Sequence, residues 1–349
     1  MISVGDRLAS DRHELADFMA VQDEFWARGW TDGLPVVPPT PDLVDAFLAT
    51  AGLEPHQVVG VLPERGREFN AEKVAINAVM AGCLVEYFPV VLAAWQAMCA
   101  PEYVLNATAM STSGAAPLVI VNGPIVKQIG MRTGTNVFGP GNRANATIGR
   151  AIRLCLINLA GASGPFDKAT LGHPGRYSYC IAEDEESAWE PLHVQRGLAR
   201  EQSAVTVVSA EAPQFVRDST AVAPEPLLLS YADQIKRWNQ HGPAVVVVNP
   251  EHRAILEGAG WSKSDVSNHL HRIAVRSLAD LKRASRAKGD VMAGDEEKQV
   301  MLTARPEDLM VIAAGGQGIF SAVIPPGGAR SDAVTTLVPE PGCAGECFI

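Results

Sequence analysis

No stretch of this sequence stays apolar for the roughly 18–20 residues that a bilayer crossing requires. The most apolar segments, Cys83–Trp95 and Ala115–Val121, are interrupted or too short. The opening MISVGDRLASDRHELADF carries charges where a secretion signal needs an unbroken apolar core, so the expected compartment is the cytoplasm. Positive charge is not in excess. The 29 Lys and Arg against 39 Asp and Glu give a formal charge of −10, which argues against a nucleic-acid footprint or an anionic-membrane binder. A Gly-Lys-Ser/Thr phosphate loop, a G-x-G-x-x-G fingerprint, a standard zinc or iron spacing and an internal repeat are all missing. A disulfide framework is missing too. Cys83, Cys99, Cys155 and Cys180 are dispersed in apolar segments and read as reduced, buried thiols.

What is present is a chain of 349 residues, 47% hydrophobic and 19% charged, with surface enough for a folded core and length for two domains or one large α/β unit. Leu15, Phe18, Met19, Phe25 and Trp26 recur at helical spacing and predict a helix over 12–28. Thr40-Pro41 is a cap pair opening a second helix through Leu48, Asn70 starts a third with Val74, Ile76, Val79, Met80 and Cys83 on one stripe, and Pro89 opens a fourth. The periodicity of Ile148, Ile152, Cys155, Leu156 and Leu159 predicts a long helix stopped by Gly161. Short β-branched runs at Pro117–Val121, Ala204–Val208, Ala244–Val248, Leu309–Ala313, Ala322–Ile324 and Val334–Val338 read as strands, the first ones buried. Helices fall between the later strands, at 227–238, Pro250–Glu257 and from Ser264, the last capped by Ser262-Lys-Ser-Asp265. Alternating strands and helices predict an α/β fold: two α/β parts, residues 1–215 and 216–349, with mostly parallel sheets covered by helices.

Three segments carry chemistry. In Thr133–Arg150, Gly139 and Gly141 let the backbone approach a ligand, Asn142 and Asn145 stand in the first turn of the following helix, and Arg143 and Arg150 share one face. That set suits an anionic organic substrate, with a glycine-rich structural turn as the alternative. In Gly172–His193, a strand pattern runs into Glu183–Glu186, flanked by His173 and His193. Such a run is commonly a solvated face. It also allows Glu183 or Glu186 to act as a base with His173 or His193 as partner, or two carboxylates and a histidine to hold a metal. At Cys343-Ala-Gly-Glu-Cys347, two thiols on a terminal tail can form a disulfide, bind a soft metal or attack a substrate. Asp32, in the stiff Trp30–Thr40 segment, is a further acid. His252, His269 and His271 read as structural or surface residues, and the Gly315 and Pro325 loops as turns or pocket walls. No motif specifies a cofactor.

Trp30-Thr-Asp-Gly-Leu-Pro-Val-Val-Pro-Pro-Thr40, Gly139-Pro-Gly-Asn-Arg-Ala-Asn-Ala-Thr-Ile-Gly-Arg150 and Trp189-Glu-Pro-Leu-His193 resemble a bacterial family of UGSC-type (seleno)proteins over most of the chain. The resemblance implies thiol or selenol redox chemistry. The Sec/Cys-Gly-Ser-Cys tetrapeptide that names the family is absent, Cys343-Ala-Gly-Glu-Cys347 being the nearest counterpart, and no catalytic residue is carried over. The expected function is a small-molecule enzyme performing thiol-assisted redox or carbon–sulfur chemistry on an anionic organic substrate. The alternatives are a thiol-independent hydrolase or lyase using Glu/His acid–base catalysis, and a protein that binds an anion or soft metal without turnover. The expected partners are that small anionic substrate and further copies of the chain, with neither nucleic acid nor membrane.

Overall fold

The computed structural model describes residues 7–238, 242–328 and 331–339. Two four-stranded sheets stack face to face and helices cover their outer faces, giving four layers. The first sheet contains β3 (Ala116–Asn122), β4 (Cys180–Ala182), β5 (Ala204–Ala210) and β12 (Val334–Leu337) in the order β12-β5-β3-β4. The second contains β6 (Gln214–Arg217), β7 (Ala244–Val248), β10 (Leu309–Ala313) and β11 (Phe320–Ile324) in the order β10-β7-β11-β6. Helices α4 (Phe88–Cys99) and α7 (Arg143–Cys155) cover the first sheet, with α3 (Ala71–Ala81) packed against α7, and α9 (Pro224–Ile235) and α11 (Lys263–Ile273) cover the second.

The layering follows from alternation along each strand, since successive side chains point to opposite faces. In β3, Val119 and Val121 face the helices while Leu118 and Ile120 face the other sheet. In β7, Val246 and Val248 face the outer helices while Val245 and Val247 meet β3 across the interface. Both faces are dry, so these strands are apolar throughout. Among the described residues no single helix is long and apolar enough to cross a membrane, and the very apolar α4 is buried against the first sheet.

The remaining elements decorate this frame. Helices α1 (Phe18–Ala27) and α2 (Pro41–Thr50) and the hairpin β1 (Val58–Leu62)–β2 (Arg67–Asn70) surround α3. Short helices α5 (Leu105–Met110), α6 (Ile125–Gln128), α8 (Leu192–Gln195) and α10 (Pro250–Gly258) connect strands, and α12 (Leu278–Arg283) adjoins the hairpin β8 (Val275–Ser277)–β9 (Gln299–Met301).

The fold is α/β, but the sheets are mixed rather than mostly parallel. Only β3–β4 and β7–β10 pair in parallel; β3–β5, β5–β12, β7–β11 and β6–β11 are antiparallel. Connection length explains this. Residues 314–319 between β10 and β11 are too few for a parallel crossover, which takes about a dozen residues, so β11 runs back alongside β7. The expected division at 215/216 falls within β6, and β12 of the second segment completes the sheet of the first.

One buried carboxylate ties the layers. Glu183, 2% exposed, follows β4 and accepts four hydrogen bonds. Oε2 takes Asn122 Nδ2 at 2.8 Å and the Leu192 N–H at 2.7 Å; Oε1 takes Lys263 Nζ at 2.5 Å and the Ala313 N–H at 3.3 Å. The donors come from β3, α8, α11 and β10, so both sheets and an outer helix converge on one side chain. Breaking a buried ion pair from one side strands a charge, at a cost of about 3–5 kcal/mol. Glu183→Gln and Lys263→Met are each expected to lose that much in urea denaturation, and the double variant less than the sum. Single variants with the parent's midpoint would remove this role.

A ligand cleft and the residues expected to form a site

The structure puts the side chains of the glycine-rich segment to structural use. Asn142 caps α7 through the Asn145 N–H and donates to Gly130 O, while Asn145 pairs with both the N–H and the carbonyl of Arg132. The loop closes around Arg132, whose guanidinium takes the carbonyls of Pro140 and Gly141 at 3.2 and 3.1 Å. Gly141 has φ +101°, and a Cβ at Gly139 would lie 2.0 Å from the Asn136 side chain. The glycines therefore serve a compact turn whose carbonyls face a cation, the reverse of the amide cradle an anion needs.

Arg150 is taken up as well. It makes a two-pronged pair with Asp32, Nε and Nη2 each 2.9 Å from a carboxylate oxygen, and Nη2 also reaches the carbonyls of Leu34 and Pro35. The Asp32 side chain is 2% exposed and that of Arg150 16%. Burial pushes the Asp32 carboxyl up, but hydrogen bonds and charge from Arg150 outweigh it and hold Asp32 below its usual range. The expected gathering of Arg143 and Arg150 around a substrate is thus replaced by a structural pair joining the proline-rich segment to α7. Arg143, exposed, uses Nε on Gly82 O.

The acidic run divides. Glu186 is a surface residue paired with Lys127 at 2.9 Å, Asp184 pairs with Arg253, and Glu183 is the buried tie described above. His193 is fully buried, its Nδ1 3.6 Å from Glu185 Oε1, and neither ring nitrogen is hydrogen-bonded among the described residues. His173 packs edge-on to Tyr179 before β4, and its Nδ1 accepts the Gly175 N–H. Burial pushes its pKa down. His173 and Glu183 lie at opposite ends of β4, so the structure does not assemble them as a pair. Glu183 already accepts four hydrogen bonds from structural donors. Among the described residues no three His, Cys, Asp or Glu form a group able to hold a metal ion.

Thiols behave likewise. Burial pushes Cys83 up to about 12 despite the Thr147 hydroxyl and the charges of Arg143 and Arg150, and it pushes Cys99 up to about 12. Cys155 and Cys180 are raised by the same cause. Cys83, Cys155 and Cys180 are inert core thiols, and Cys99 is partly buried. Cys343 and Cys347 lie outside the described residues.

A cavity of about 900 Å³ opens elsewhere, where the N-terminal segment, α1, the proline-rich segment, β2 and α3 meet. Its size suits a small organic ligand. Residues 8–15, without helix or strand, form one wall and are fastened by Glu72, whose oxygens accept the N–H groups of Ala9 and Ser10 at 3.0 and 2.9 Å. Trp30 forms another wall, with Arg28 4.8 Å over its ring, Phe25 edge-on and His13 beside it. Arg67, an exposed lining residue, is held by Nη1 donating to Leu159 O in the π-helical turn after α7, where carbonyls lack helical partners. Lys73, in the first turn of α3, is exposed and has no ion pair or side-chain hydrogen bond among the described residues.

The chain matches no protein-family model, no curated protein and no solved structure. Of the expected residues, none of the glycine-loop or acidic-run set lines this cleft; the link is Asp32, which anchors the segment that supplies Trp30, Pro38 and Thr40 to its wall. The cleft residues Arg67, Glu72, Lys73 and Asn77 were not singled out by sequence. Their signal was faint: polar positions on an otherwise apolar helix, and an arginine three residues before its Asn70 cap.

Because Asp32 has a lowered folded-state pKa, its contribution to stability is full above the ordinary carboxylate range and is lost as pH falls through the folded value. Asp32→Asn is expected to cost about 3 kcal/mol at neutral pH, near the low end for a buried pair because Arg150 is partly solvated, and to leave a shallower acid limb in stability against pH. A parent-like acid limb in the variant would refute this. With a thiol reagent at neutral pH, Cys83, Cys155 and Cys180 are expected to label only in denaturant, which peptide mapping checks directly.

Proposed function

We propose that this chain is a small-molecule enzyme whose anionic organic substrate occupies the cleft between residues 8–15, the proline-rich segment and α3. The observation that carries the reading is the cavity of about 900 Å³ lined by Lys73, a cation unpaired among the described residues, and by Arg67, held through Leu159 O. The Lys73 ammonium supplies three donors to an acid group.

Acid–base chemistry is the reaction class the cleft itself can supply, because His13, Glu14 and Glu68 line it and no described thiol does. A thiol-assisted reaction would fall to Cys343 or Cys347, since Cys83, Cys155 and Cys180 are buried, Cys99 is partly buried, and burial raises the pKa of all four. Residues 8–15 act as the wall that excludes water on one side, held there by Glu72.

The test uses anilinonaphthalene sulfonate, an aromatic anion whose fluorescence rises in apolar surroundings. The protein is expected to bind it, small organic acids to displace it, and Lys73→Gln to weaken binding about tenfold, as loss of one hydrogen bond to a charged group predicts. Equal binding by the parent and Lys73→Glu, with no displacement by organic acids, would sink the proposal.

A further inference from the structure

We infer that the cleft selects an organic acid with an extended apolar body, its acid group at Lys73 and its body running along α3 towards Met80. This rests on the reading that the cleft binds an organic anion and goes further by naming the class. Glu72, Lys73, Ile76, Asn77 and Met80 all line the cleft, at spacings of one, three or four residues that place them on one face of α3. From Lys73 to Met80 that face rises roughly 10 Å, at about 1.5 Å per residue.

Its character changes along that length. Lys73 and Arg67 line the cleft together with Asp11, Glu14, Glu68 and Glu72, and the Glu72 carboxylate is already occupied by the amides of Ala9 and Ser10. At the far end Met80 is 3% exposed, and its carbonyl accepts the Val37 N–H, which lays the proline-rich segment across the helix terminus. Val44 of α2 and Phe25 of α1 close the same part of the cavity. Between the two ends, Asn77 makes no demand on a ligand: Nδ2 donates to Lys73 O, and Oδ1 accepts from Asn158. Arg28 is paired with Glu24 and lies over Trp30.

A compact anion such as phosphate would satisfy Lys73 and leave the apolar length filled only by water. An organic acid of about octanoate length, aliphatic or aryl, covers both. Each methylene removed from water there contributes about 0.8 kcal/mol, close to a fourfold gain in affinity.

Calorimetric titration of the full chain with butanoate, hexanoate and octanoate tests this, with octylammonium as the charge control. Affinity is expected to rise about fourfold per methylene, and octylammonium to bind at least tenfold more weakly than octanoate. Lys73→Gln should erase that preference for the acid, while Ile76→Asn should flatten the chain-length series. Circular dichroism of both variants checks that they are folded. A flat series in the parent, or octylammonium binding as tightly as octanoate, overturns the inference. If the series is flat while the naphthalene sulfonate still binds through Lys73, the cleft reading stands and only the ligand class falls; if no organic acid binds through Lys73, both fall.

Discussion

The Glu183 carboxylate is the constraint on which the four-layer arrangement depends. A buried charge is tolerated only where donors replace water, and here the donors come from four separate elements. Each of the two parallel strand pairs ends at this point: β3 and β4 at Asn122 and Glu183, β10 at Ala313. The carboxylate thus sets how the two sheets register against each other, and Lys263 brings the first turn of α11 to the same place. None of these bonded groups lines the open cavity, so the structural centre of the molecule lies apart from it.

Much of the fold was readable wherever burial leaves a local mark. Ala244–Val248 and Leu309–Ala313 form strands over the predicted spans, because strands dry on both faces must be apolar throughout. The Ser262–Asp265 capping box starts α11 as expected, since the cap is a contact between neighbours in sequence. Strand direction was not readable, as it depends on which strands become neighbours. β6 and the two hairpins were missed because their residues are largely half-exposed and carry no strong period.

The functional residues show the same division more sharply. Glu183 through Glu186 look alike in sequence, yet one is buried and another is among the most exposed side chains with an ion pair. The difference is made by Lys263, eighty residues away. Arg150 and Asp32 each had the chemistry of a ligand-binding residue, and each found the other across the fold. The cleft draws on five separate segments, so no local pattern could reveal it. Its walls nonetheless depend on those structural pairs, because the Asp32–Arg150 contact fixes the segment that carries Trp30 and Pro38.

The placement of β12 has a consequence for how the chain acquires its shape. Residues 334–337 pair with β5, whose other neighbour is β3, more than two hundred positions earlier. During synthesis the edge of β5 therefore waits, uncovered, until residues 334–337 have emerged. Closing so long a loop is slow, and an open strand edge invites pairing with other chains in the interval. The early half of this molecule is thus born dependent on its late half, and its maturation runs on the ribosome's clock.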